Sequence, residues 1–281
     1  MTARLTNVKA QRVRSVAALG RRSVRERDGL FLAEGPQAVR EAVRFRPDAV
    51  REVFADETGR DRCGEILDAA RDRGLPVRDT SPQVLAAMCD TTTPQGVLAV
   101  CRRVDVGLEE VLGGGPEPGR ADGRADRRGG PRLLVVLTNI RDPGNAGTVI
   151  RGADAAGADA VLVGTNSVDV YNPKVVRSAV GSHFHIPLVV GLDVPPLLAR
   201  LREQGIVSLA ADGTGSVSLY DADLAAPHAW VMGNEAWGLP TELLDACDQA
   251  VAVPLYGKAE SLNLAMAATV CLFASARVLH R

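Results

Sequence analysis

Two uninterrupted apolar runs, LLVVL at 133–137 and AVLVG at 160–164, constrain this 281-residue chain more than any other feature. Apolar residues at every position, rather than at every second one, require strands covered on both faces. That is the environment of a parallel sheet with helices on each side. Between the runs lie a polar loop, TNIRDPGN, and a helical stretch from about Asn145 to Gly157. Further strands are expected at 186–190, 206–210, 229–232 and 250–253, and a last helix from about Leu262 to Val278. This half of the chain reads as an open α/β sheet, in which ligands bind beyond the carboxyl ends of the strands.

The N-terminal part also alternates. Helices are expected at 8–19, 36–45, 61–73 and 82–88, with strands at Leu30–Ala33, 50–54, near Val77 and at 97–101. That is a second α/β layer. The two parts are separated by GGGPEPGRADGRADRRGGPR at 113–132, which holds seven Gly, three Pro and no apolar residue larger than Ala. Such a segment cannot bury enough surface to offset its ordering entropy and reads as a linker. The expected division is an N-terminal domain at 1–110, a linker at 111–132 and a C-terminal domain at 133–281.

Composition excludes some classes. No apolar run is long enough to span a bilayer, and MTARLTNVKAQRVRSVAALG lacks the apolar core of a secretory signal. The five scattered cysteines form no CxxC pair, which fits reduced thiols in a cytoplasmic protein. Net charge is −1, yet residues 1–27 carry eight basic side chains, among them Arg12, Arg21, Arg22 and Arg25, against one acid, Glu26. That arm is either a solvated helix face or a field that draws phosphates. His183 and His185 form an HxH pair that shares a face at strand spacing, but two ligands without a Cys or a third His make no metal site, and none is expected.

Three segments could carry chemistry. In 138–157, Asn145 is a candidate N-cap. Arg151 is either a functional group or a surface residue paired with Asp154 at i+3. The loop is neither GxGxxG nor a Walker motif. In VMGNEAWGLP, 231–240, an apolar strand ends in Gly233 and is followed by the carboxylate of Glu235. In 253–276, a strand end meets Gly257, Lys258 and Glu260, and either Ser261 or Asn263 caps a long apolar helix suited to a core or a dimer interface.

Together, and in this order, RDPGNAGTVIR, VMGNEAWGL and VPLYGKAESLNLAMA resemble the motifs of the SPOUT superfamily, specifically the SpoU/TrmH-type RNA 2′-O-ribose methyltransferases. The intervening NPKVVRSAVGSHFHIP is similar to the family's stretch between its first two motifs. The basic arm, GLFLAEGPQAVREAV and TPQGVLAV resemble its substrate-binding domain, of L30e-like topology. The family more often has a small residue where Trp237 stands.

The resemblance implies a C-terminal α/β domain with a deep trefoil knot, a homodimer, and no metal. S-adenosylmethionine is implied as donor, and a ribose 2′-hydroxyl of structured RNA, ribosomal RNA foremost, as acceptor. It implies catalytic roles for Arg151, Asn145, Glu235, Ser261 and Asn263, and cofactor positions at Gly233, Val253, Leu255 and Leu262. RNA contacts are expected at Arg12, Arg21, Arg22, Arg25, Lys174 and Arg177. A transfer-RNA substrate and an inactive RNA-binding protein of the same fold are the alternatives. A nicotinamide-dependent oxidoreductase would need an acid after the second strand, where Thr165 and Asn166 stand instead.

Overall fold

In chain order, the N-terminal part forms α1 (Gln11–Ala17), α2 (Arg22–Asp28), β1 (Leu30–Glu34), α3 (Pro36–Phe45), β2 (Val50–Ala55), α4 (Glu57–Arg62), α5 (Gly64–Asp72), β3 (Val77–Asp79), α6 (Pro82–Met88) and β4 (Val97–Arg102). After α7 (Leu108–Leu112) come β5 (Leu133–Leu137), α8 (Pro143–Ala156), β6 (Ala160–Gly164), α9 (Pro173–Ala179), β7 (Leu188–Leu192), α10 (Val194–Glu203), β8 (Val207–Ala211), β9 (Val217–Ser218), β10 (His228–Met232), α11 (Thr241–Ala246), β11 (Gln249–Ala252) and α12 (Leu264–Leu279). The structure is a computed structural model and describes residues 4–113 and 130–280. Residues 114–129, most of the segment read as a linker, lie outside the described residues.

The chain forms two units, one of Met1–Val104 with Asp169–His185, the other of Asp105–Val168 with Ile186–Arg281. In the first, the sheet order is β1-β4-β2-β3. β4 runs antiparallel to both β1 and β2, and β3 runs parallel to β2. Val13 and Val16 of α1 and Val84 and Leu85 of α6 bury their side chains with Phe54 and Leu98 of the sheet. The returning segment packs its Tyr171 ring 4.8 Å from Phe31, and the Tyr171 hydroxyl accepts from Val104 N at 2.9 Å. The helix expected at 61–73 is two helices that meet at Cys63. Asp56 caps the first through Gly59 N. Gly59 lies so close to Gly96 that a Cβ on it would sit on the Gly96 carbonyl, a tertiary contact that no helical periodicity shows.

The second unit holds a sheet of order β7-β6-β5-β10-β8-β11-β9, parallel throughout. β5, β6 and β10 are buried at every position, as the unbroken apolar sequences of β5 and β6 require, and β10 buries His228 together with its apolar residues. On one side α8 meets α12 at Gly152, where a Cβ would come within 3.3 Å of Thr269 Oγ1. Ser275 anchors α12 to β10: its hydroxyl accepts from Trp230 Nε1 at 2.9 Å and lies 2.7 Å from His228 Nε2. On the other face, Leu197, Leu198 and Leu201 of α10 and Leu243 of α11 complete the core.

Candidate active site

The loops after β5, β10 and β11 leave the carboxyl ends of three parallel strands, the edge at which such sheets bind ligands. The first loop turns at Asn139, whose φ of 56° is left-handed. Asp142, not Asn145, caps α8. Its Oδ1 accepts from Asn145 N at 2.7 Å, and Pro143 occupies the first turn, where its missing N–H has no helical partner to lose. The side chain of Asn145 is therefore free for another use.

After β10 the chain makes a tight loop. Asn234 and Gly238 exchange backbone hydrogen bonds at 2.8 and 2.9 Å. Asn234 Oδ1 accepts from Ala236 N at 2.8 Å, and its Nδ2 donates to Asn139 O at 2.8 Å, which ties this loop to the first. Gly233 enters the loop against backbone: a Cβ there would lie 2.5 Å from the Gly238 carbonyl. Glu235, Ala236 and Trp237 project at the tip, with Trp237 69% exposed.

The tips converge on one chain of contacts. Glu235 accepts from Asp142 N at 3.1 Å, from Arg141 N at 3.3 Å and from Asn145 Nδ2 at 3.3 Å. Asn145 Oδ1 in turn accepts from Asn263 Nδ2 at 3.1 Å. Asn263, rather than Ser261, caps α12, its Oδ1 accepting from Ala265 N at 2.9 Å. Three residues far apart in sequence thus form one carboxylate–amide–amide relay. Arg151 and Ser261 stand outside it. Arg151 is exposed on α8 beside the outward Thr148. It lies six residues, or about 9 Å along the axis, beyond Asn145. Ser261 is exposed, Val253 and Leu262 are half-buried, and Leu255 is 40% exposed. Among the described residues, 254–262 make no hydrogen bond with the rest of the chain, so their backbone groups are open to a ligand.

The basic residues of the first unit divide into exposed and committed groups. Arg21 is exposed. Arg22 is exposed and pairs with Glu26 at 2.7 Å, and Arg12 pairs with the buried Glu52. Lys174 is exposed on α9. Arg25 is a correction to the expected set of RNA contacts. Its guanidinium is buried, donates to Leu19 O and Gly20 O at 2.8 and 2.7 Å, and grips Asp169 at 2.5 Å, so no phosphate reaches it. Arg177 is half-buried between Glu34 and Asp90, at 2.8 and 2.9 Å. The two histidines do not share a face: residues 182–184 form a 3-10 turn, so His183 reaches Val170 O while His185 reaches Glu41. No cluster of three metal-binding side chains occurs among the described residues.

A parallel α/β sheet whose C-terminal loops gather a Glu–Asn–Asn relay, with an outward arginine about 9 Å further along α8, together with a separate α/β unit, defines a two-part protein with a candidate ligand site at the sheet edge. Residues 132–273 match the SpoU rRNA Methylase family, and residues 32–106 match the RNA 2′-O ribose methyltransferase substrate binding family. The chain belongs to the SpoU rRNA methylase family. It is 32% identical over 269 residues to the 23S rRNA (guanosine(2553)-2′-O)-methyltransferase RlmP of Bacillus subtilis, covering 96% of this chain and 97% of that one. It is also 32% identical over 246 residues to the 23S rRNA (guanosine-2′-O-)-methyltransferase RlmB of Bordetella pertussis, covering 86% and 95% of the two chains. Among solved structures, an AdoMet-bound rRNA methyltransferase from Sinorhizobium meliloti superposes with a TM-score of 0.80 at 27% identity, over 98% and 97% of the chains. The SpoU methyltransferase AviRb from Streptomyces viridochromogenes, in complex with AdoMet, does so with 0.77 at 30% identity, over 95% and 98%.

Proposed function

We propose that this chain is an S-adenosylmethionine-dependent methyltransferase acting on a ribose 2′-hydroxyl of ribosomal RNA. The observation that carries the reading is the relay Glu235–Asn145–Asn263, which joins all three motif loops at the edge where a parallel sheet binds ligands. Its relatives are named for 23S ribosomal RNA and for guanosine 2′-O transfer, and two of its structural neighbours hold AdoMet.

The loops suit a donor held through backbone groups. Gly233 packs where no Cβ fits, and 254–262 leave their N–H and C=O groups unspent. Gly233, Val253, Leu255 and Leu262 would line that cradle. The donor, once bound, supplies a methyl carbon activated by a sulfonium cation.

The chain's own task is the nucleophile, because a ribose hydroxyl is un-ionised at neutral pH and must be aligned while its proton departs. A guanidinium is a poor base, so the role of Arg151 is to orient the neighbouring phosphate and stabilise the developing alkoxide. Asn145, Glu235, Ser261 and Asn263 position the ribose and that guanidinium. The arm around Arg12, Arg21 and Arg22, with Lys174, draws RNA phosphates. The deep trefoil knot that the resemblance implies belongs to this reading, in a sheet where β10 is seated between the two earlier strands β5 and β8. A homodimer through α12 and a cytoplasmic location complete the proposal; no helix among the described residues is long and apolar enough to cross a membrane.

The deciding experiment pairs Arg151→Ala with calorimetry and methyl mapping of 23S rRNA. The variant retains S-adenosylmethionine binding and loses at least about 100-fold in turnover. Near-normal turnover removes Arg151 from the reaction, and absence of donor uptake by the native chain removes the function.

A further inference from the structure

The first unit contains a cavity of about 550 Å³, lined by the start of α3, by the loop that precedes β4, and by Arg177 and Val180. That volume belongs to the range of small-ligand pockets. None of the loops after β5, β10 or β11 contributes to its lining.

One wall is fixed in advance, while Gln37 and Gln95 are exposed at the rim. Glu34 is buried and accepts from Asp90 N at 2.7 Å, from Thr91 N at 3.3 Å and from Arg177 Nη1 at 2.8 Å. Arg177 Nη2 closes the ring on Asp90 at 2.9 Å. At Gly35, φ is +89°, and Gln95 Oε1 lies 3.2 Å from where a Cβ would stand, so the Gln95 amide lies across glycine backbone. A side chain at 35 would be strained and would displace that amide.

The chemistry of the lining is specific. Glu34 and Arg177 are the charged groups, and they neutralise each other. Cys89 is kept as a thiol by burial. An anion therefore finds no net charge to bind. Gln37 and Gln95 bring two amides that make no hydrogen bond among the described residues, and each offers two N–H donors and a carbonyl. Pro36, Pro94, Val97 and Val180 supply apolar surface around them. A flat neutral group with donors and acceptors along its edge answers this lining, and in RNA that group is an unpaired base.

We infer that this cavity receives one unpaired nucleobase of the RNA substrate, with Gln37 and Gln95 reading its edge. The inference rests on the RNA-methyltransferase reading above. The base is distinct from the methylated nucleotide, and it is recognised by the first unit itself.

The test uses the full-length protein and deproteinised 23S rRNA from cells lacking it. Gln37→Leu and Gln95→Leu remove the amide hydrogen bonds at nearly constant volume, and circular dichroism with thermal unfolding checks that each variant keeps the native fold of the first unit. The expected result is a rise of about tenfold in KM for RNA in each variant. In parallel, base-specific chemical probing without donor shows one unpaired base protected by the native protein and exposed with Gln37→Leu, whose site is at the surface. Unchanged KM in a native-like enzyme, or protection of phosphates with no protected base, overturns the inference. Native protein that methylates no ribose while the base remains protected instead overturns the functional reading and leaves the cavity's role standing.

Discussion

The imidazole of His183 donates through Nε2 to Val170 O at 2.7 Å, which leaves Nδ1 bare and without a hydrogen-bond partner. That is the neutral ring. Charging it would place a second N–H in a buried site with nothing to receive it. Burial accordingly pushes its pKa down to about 4, against the smaller opposing effects of the Val170 carbonyl and Asp169. The folded pKa lies below the unfolded one, so as pH falls the unfolded chain takes up the proton first. The stabilisation is complete above about pH 6.5 and is lost as pH falls from there towards 4, amounting to about 3 kcal/mol. Urea midpoints at pH 7 and pH 4.5 measure it. The native protein loses more stability over that interval than His183→Gln, and equal losses would show that another group carries the acid sensitivity. Arg25 is a second residue whose burial decides its role. Arg25→Met strands Asp169 and frees two carbonyls, costing about 3 kcal/mol in denaturant unfolding. Arg21→Ala combined with Arg22→Ala leaves stability within about 0.5 kcal/mol but flattens the salt dependence of RNA binding. An unchanged salt slope would take the exposed arm out of the RNA surface.

At the scale of elements, α12 is held by a polar contact inside an apolar interface. Trp230 Nε1 and His228 Nε2 converge on Ser275 Oγ, all buried, while His228 Nδ1 donates to Ala226 O at 2.8 Å. Ser275→Ala leaves the indole N–H without an acceptor, and the expected loss of stability is about 1–3 kcal/mol. A loss below a few tenths would mean that water replaces the hydroxyl. Most elements could be read from pattern alone. The sequence reading of 36–45 and 82–88 coincides with α3 and α6, and both begin with proline in the first turn. The same proline signal at Pro143 points to Asp142 as the cap of α8, yet Asn145 is an equally good capping residue type, so propensity alone did not separate them. The strand expected at 186–190 lies at Leu188–Leu192 because Pro187 has no N–H for a ladder. The relay was legible only as three motifs known to belong together. Nothing in the spacing of Asn145, Glu235 and Asn263 shows that their side chains meet, since strand order in the sheet, not sequence distance, brings their loops together.

At the scale of the molecule, one face of α12 leaves a row of apolar side chains uncovered. Ala265, Ala268, Cys271, Leu272 and Ser275 are buried against the second unit, and the opposite stripe carries Met266, Val270 and Phe273 at 60%, 37% and 49% exposure. Spacings of four and three place those side chains in one row, so the helix is apolar on both sides although its own unit covers only one. A soluble chain rarely leaves such a row in water, and in a two-fold dimer the same row meets itself. The row also lies on the helix that Asn263 caps, so the surface proposed to pair two copies is continuous with the relay that holds Asn145 and Glu235. Phe273→Glu places a carboxylate at the centre of that contact, opposite its own copy, and desolvating two like charges there outweighs the apolar gain. Light scattering on the eluting protein is expected to give twice the chain mass for the native form and the mass of one chain for Phe273→Glu. The variant is also expected to bind S-adenosylmethionine more weakly, because the cap of α12 loosens with its helix. A native monomer, or a Phe273→Glu dimer, would place the interface elsewhere.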